Sequence, residues 1–138
     1  MLRNTRKGFT LIELLIVVVI VGILSSIAIP KFANSKDKAK ISSMRTDLRN
    51  LVAVQEGHFA DNNRYATAIG AAADPTTAVF FQTAGNAITI PVATPSGWSA
   101  TISRNPQDLA SPVTCGLFVG AVAAPNPAVT REGEVACW

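Results

Sequence analysis

Glu13 is the one charged side chain between Phe9 and Ile29, a stretch otherwise made of apolar and small uncharged residues. At the centre of a membrane helix a carboxylate costs about 2.5 to 3.5 kcal/mol, and less near an end where it reaches the headgroups. An acid kept in such surroundings calls for a partner, and a cation buried beside it offsets the desolvation of both. Few other residues invite chemistry. Cys115 and Cys137 are the only cysteines, and two thiols alone make a poor zinc site. His58 is the sole histidine and has no second ligand in view, while Glu132 and Glu134 are too few for a calcium site. The remaining acids are scattered, and there is neither a Gly-rich phosphate loop nor a Ser, Cys or His constellation with a base. The expectation is a protein that is not an enzyme and uses no cofactor or metal.

The elements that position Glu13 follow from length. Phe9 to Ile29 would rise about 32 Å as a helix, close to the roughly 30 Å thickness of bilayer hydrocarbon. Arg3, Arg6 and Lys7 precede Gly8. A cut between Gly8 and Phe9 would create an α-ammonium at the start of the helix that carries Glu13. A secretory signal cleaved after Ala28 is the competing reading, with Ser26-Ile27-Ala28 as its small residues. Against it, the run is longer than an ordinary signal and carries an acid.

The order Gly8-Phe9-Thr10-Leu11-Ile12-Glu13-Leu14, preceded by Lys7 and followed by the apolar run to Pro30, resembles the class III signal of type IV pilins, type IVa-like major pilins in particular, and of the related pseudopilins of type II secretion. The resemblance implies that a prepilin peptidase cuts after Gly8, that Phe9 becomes the N-methylated terminus, and that Glu13 pairs with the terminal amine of a neighbouring subunit. It also implies that the leader lies on the cytoplasmic side. Three basic residues before the span and the four lysines Lys31, Lys36, Lys38 and Lys40 after it do not decide the orientation by charge.

The formal net charge is +3, but of the 12 Lys and Arg three lie in the leader, so nine remain against 9 acids. A near-neutral mature chain argues against a nucleic-acid surface, and no specific nucleic-acid partner is expected. The chain's 138 residues allow about one domain. Pro30 removes a donor and crowds the Ser26 carbonyl, and Gly22, Ser25 and Ser26 are weak helix formers. The helix is expected to kink near Pro30. By resemblance, the stretch from Gly22 to Pro30 melts on filament assembly.

Beyond the lysines, Ile41, Met44, Leu48, Leu51, Gln55 and Phe59 recur in steps of three and four, so an amphipathic helix should continue to about Asn62. Residues 63–78 read as a connecting loop, and 79–138 as a head. Strand-like runs are Val79 to Gln82, Ala87 to Val92, Trp98 to Ser103, Cys115 to Val119 and Val135 to Trp138. Pro91 marks an edge or a bulge. The predicted fold class is α+β: a long N-terminal helix packed on an antiparallel sheet of about four strands, which is also the pilin fold. Export-directed context favours a Cys115–Cys137 disulfide over two unpaired buried thiols. Such a bond would close a loop holding Pro125-Asn126-Pro127, worth roughly 3 kcal/mol in chain entropy.

The functional expectation is a pilus subunit: an inner-membrane precursor with leader 1–8 and hydrophobic helix 9–30, polymerised into a homo-oligomeric helical filament at the cell surface. The resemblance implies a prepilin peptidase, an assembly ATPase and an inner-membrane platform as partners. A pseudopilin of type II secretion, or a minor pilin, is the related alternative. A soluble exported binding protein is the alternative of another class. Motility, adhesion and DNA uptake are family uses among which the residues do not choose.

Overall fold

The computed structural model describes residues 8–72, 74–109 and 113–138. Most of the expected leader, including Arg3, Arg6 and Lys7, lies outside the described residues. The chain divides into two units, one ending at Lys36 and the other running from Asp37 to Trp138. Helix α1, Leu11–Asn62, begins in the first unit and opens the second.

In the first unit every large apolar side chain from Leu11 to Phe32 is exposed, so this stretch buries nothing within its own chain. By length and composition α1 can cross a membrane. Pro30 sits inside the helix, which continues past it without a break.

In the second unit Met44, Leu48, Leu51 and Gln55 are buried as the periodicity predicts. The stripe then turns onto His58, which is buried, while Phe59 is half-buried. Steps of three and four from Leu51 reach either residue, and here the ring of Phe59 lies beside Tyr65 with centroids 4.7 Å apart. Asn63 ends the helix with φ 55° and donates its amide to the Phe59 carbonyl. A left-handed Asn is one of the common ways to close a helix.

The connecting segment is more ordered than the loop expected over 63–78. Strands β1, Ala68–Gly70, and β2, Thr77–Val79, pair in parallel. The Asp74 carboxylate accepts from both the amide and the hydroxyl of Thr76, each at 2.7 Å, and folds the chain back. The run Val79 to Gln82 is therefore not a strand of the main sheet: Val79 ends β2, and residues 80–82 have no strand structure.

The main sheet is antiparallel, in the order β3-β4-β5-β6: Asn86–Thr94, Gly97–Arg104, Thr114–Gly120 and Ala136–Cys137. Pro91 falls at the register shift between Thr89 and Val92 on edge strand β3, where a missing amide donor does least harm. Trp98, Ala100 and Ile102 of β4 and Cys115 and Leu117 of β5 join Met44, Leu48 and Leu51 in one core cluster. The fold is thus α+β, one long helix with a small four-stranded antiparallel sheet.

Ser99 departs from the simple alternation of β4, because it is buried as deeply as its neighbours although it points to the opposite face. That face is covered. A Cβ placed on Gly116 would meet Pro125 Cγ and Trp138 Cη2, each at 3.0 Å, so Pro125, between β5 and β6, and Trp138, just after β6, lie over the sheet there. Glycine at 116 is what lets it approach so closely.

Candidate functional site

The start of α1 brings Gly8, Phe9 and Glu13 within about one helical turn of sequence. Gly8 and Phe9 precede the helix and are exposed, with nothing within 4 Å of a Cβ built on Gly8. The peptide bond between them is open to an approaching protein. Thr10, which the sequence reading did not single out, fixes where the helix begins. Its carbonyl accepts from the Leu14 amide, and its hydroxyl accepts from the Glu13 amide at 3.3 Å. The Glu13 carboxylate reaches back to accept from the Thr10 amide at 2.9 Å and from the Thr10 hydroxyl at 2.7 Å. This is a reciprocal capping box, in which two amides left over by the first helical turn find side-chain partners. A Thr followed three residues later by Glu, just before an apolar run, is the sequence signal that would have found it.

The arrangement has a chemical consequence. A carboxylate at the first turn sits in the favourable end of the helix dipole. One of its oxygens, Oε2, takes both Thr10 bonds, so the carboxylate has acceptor capacity left for an external donor. Gly22 and Pro30 lie further along α1. No atom within 4 Å explains glycine at 22 in this chain, and Ser26, nearby, donates its hydroxyl to the Ile23 carbonyl at 2.7 Å. Ala28, the cut site of the competing secretory reading, falls inside α1.

Cys115 and Cys137 lie in the other unit and are bonded, with Sγ atoms 2.04 Å apart and Cα atoms 3.9 Å apart. They are direct register partners of β5 and β6. The enclosed loop is tied down by Gly133 donating its amide to the Phe118 carbonyl and Gly120 donating to the Glu132 carboxylate, at 2.8 and 2.6 Å. Arg45 of α1 places Nε 3.4 Å from Cys137 Sγ.

A buried polar network also escaped the sequence reading. Asp47 accepts from the amide and hydroxyl of Thr83, each at 2.8 Å, and from Asn86 Nδ2 at 2.7 Å. Asn86 in turn accepts from Arg104 Nη1 at 2.9 Å, and Arg104 lies 3.4 Å from the Asp108 carboxylate. Lys40 donates to the Asp108 carbonyl. The signal was an acid directly before Leu48, on the apolar side of the helix.

Two groups in this unit titrate away from their ordinary values. Burial, and then the negative charge and hydrogen bond of Glu56, push the Tyr65 phenol up, with a further contribution from Glu132. Thr76, through its hydroxyl and its amide, holds the Asp74 carboxyl down. Among the described residues no cluster of three or more His, Cys, Asp or Glu could hold a metal ion. A hollow of about 290 Å³ near Tyr65 and Pro75 has no carboxylate, histidine or thiol among its described lining residues.

Residues 3–29 match the prokaryotic N-terminal methylation motif. The chain carries a prepilin-type N terminus. It is 47% identical to the type IV major pilin protein PilA of Myxococcus xanthus over 44% of its own length and 27% of that protein's. Core protein G of the type II secretion system of Klebsiella michiganensis is 39% identical over 49% of this chain and 47% of its own. The matched segment thus spans about a quarter and about half of these two relatives. Core protein G of Escherichia coli is 27% identical over 98% of this chain and 92% of its own. The relationship is to type IV pilins and type II secretion pseudopilins, which are structural proteins.

Proposed function

We propose that the chain is the structural subunit of a type IV pilus, stored in the inner membrane as a precursor and polymerised through α1 into a cell-surface filament. Cleavage falls between the exposed residues Gly8 and Phe9, and methylation falls on the new amine of Phe9. The observation that carries the reading is a prepilin-type start joined to a helix whose apolar side chains from Leu11 to Phe32 find no cover in their own chain. Such a surface needs lipid before assembly and neighbouring helices afterwards.

Glu13 then has two successive partners. In the isolated subunit Thr10 satisfies it. In the filament the remaining acceptor capacity takes the α-ammonium of a neighbouring Phe9, and the pair specifies register, because either charge left alone in an apolar core is strongly disfavoured. The stretch from Gly22 to Pro30 is where α1 would give way on packing. A prepilin peptidase, an assembly ATPase and a membrane platform are the partners that this route requires.

Alignment with a core protein G over nearly the whole chain favours a second reading, a pseudopilin of type II secretion. Mass spectrometry of the N-terminal peptide distinguishes the two. Methylated Phe9 abundant in fibres sheared from cells supports the pilus subunit, whereas methylated Phe9 confined to the envelope supports the pseudopilin. An N terminus at Ile29 would overturn both.

A further inference from the structure

The first unit does not end where its apolar run ends. From Leu14 to Lys36 it contains two charged residues, both lysines, and no acid. Lys31, Phe32 and Lys36 are all exposed, Phe32 at 65%. The Lys36 ammonium stands 5.0 Å from the centroid of the Phe32 ring. Ser35 returns its hydroxyl to the Lys31 carbonyl at 3.0 Å, and a shallow hollow of about 310 Å³ is lined by Ala28, Lys31, Phe32 and Ser35.

Position gives this patch its meaning. Leu11 to Ile29 rises about 28 Å, so a helix that places those residues in hydrocarbon brings the next turn to the headgroups. There an aromatic ring is at home at the boundary, and lysines extend toward water. The ring and ammonium of Phe32 and Lys36 are already paired, which presents the charge above the ring. From Leu14 to Lys36 the first unit carries no acid to compete for either lysine.

We propose that Lys31, Phe32 and Lys36 form an interfacial anchor selective for anionic phospholipid, which fixes the depth at which the stored subunit sits in the bilayer. This rests on the reading of the chain as a membrane-stored precursor. Two ammonium groups within about two turns of the hydrocarbon boundary match the phosphates of an anionic lipid surface, each strengthening attraction about fivefold. The ring sets the depth, and the lysines set the lipid preference.

The test reconstitutes the full chain into phosphatidylcholine vesicles and measures motionally restricted spin-labelled phosphatidylglycerol against spin-labelled phosphatidylcholine. Preference for phosphatidylglycerol should fall at least threefold in a Lys31→Gln/Lys36→Gln variant and persist in Lys31→Arg/Lys36→Arg. The leader's basic residues contribute equally to all three proteins, so the difference isolates the patch. A smaller fall in the glutamine variant, or an equal fall in the arginine variant, overturns the anchor. Restriction of phosphatidylcholine should be the same in all three and reports insertion alone. If neither lipid is restricted by the wild-type chain, the membrane-stored reading fails, and the anchor with it.

Discussion

Thr10 and Glu13 hold one another across the first turn of α1, each giving the other's backbone amide an acceptor. The acid is therefore part of the helix start as well as the charge proposed to pair with a neighbouring terminus, and substitutions can separate the two roles. Thr10→Val removes the hydroxyl and should weaken the helix start by about 1 kcal/mol. Hydrogen exchange at the Glu13 amide in detergent micelles should quicken about fivefold, the equivalent of that energy. Glu13→Gln keeps a carbonyl acceptor for Thr10 but loses the charge. Glu13→Gln and Glu13→Ala should both be cleaved and both lose filaments by more than tenfold. Normal filaments from Glu13→Gln would sink the charge pairing and leave the cap as the reason for the acid.

Tyr65 is the chain's single tyrosine, so ultraviolet titration reads it without interference. Burial and Glu56 both disfavour the phenolate, and its ionisation should come above the usual tyrosine range. The folded value is raised, so the associated stability is complete below the ordinary tyrosine value and is lost as pH rises through the folded one. Glu56→Gln removes the charge while leaving burial, and should bring the transition part of the way back. No movement would mean that burial alone sets it.

The parts of this molecule that repeat were legible in its residues, and the parts built from single contacts were not. Met44, Leu48 and Leu51 announce a buried helical face by spacing, and Trp98, Ala100 and Ile102 announce the inner face of a strand. Ser99 broke that alternation: it is buried on the outer face of the sheet, a face on which Pro125 and Trp138 also close over Gly116. Nothing local to β4 encodes that. The β1–β2 pair was hidden for a similar reason: its strands have three residues each, and the Asp74 turn, not apolar periodicity, brings them together. At the start of α1, Gly8, Phe9 and Glu13 were singled out by chemistry and by resemblance, and the capping geometry around Glu13 was not. Thr10 was overlooked because the charge drew attention away from its cap.

Cys115 and Cys137 are separated by 22 positions in sequence and join neighbouring strands. β6 has only two residues, too few to hold to the sheet by its ladder alone. Removing both thiols as Cys115→Ser/Cys137→Ser should destabilise the head by roughly 3 kcal/mol in chemical denaturation of the detergent-solubilised chain. The loosening should be uneven. Amides of Gly120 and Gly133, which tie the enclosed loop, should lose exchange protection before those of β4. Uniform loss across the sheet would show that the bond supports the core rather than the loop.

Asp47 is the test of whether the sheet is held to α1 by polar contacts as well as by the core. It accepts three hydrogen bonds from Thr83 and Asn86, and Asn86 carries the connection to Arg104 on β4. Asp47→Ala leaves the Thr83 amide and hydroxyl without their acceptor and Asn86 Nδ2 with the longer bond to the Ser43 hydroxyl at 3.4 Å, while Arg104 loses the carboxylate behind its partner. Leaving a buried donor without its acceptor costs about 1 to 3 kcal/mol. Asp47→Asn should recover part of that, because one oxygen survives, though its amide then faces the donors of Thr83 or Asn86. The order wild type, Asn, Ala in midpoint of denaturation is the expected result. Equal midpoints for all three would mean that water replaces the carboxylate without loss, and that apolar packing alone fastens the helix to the sheet.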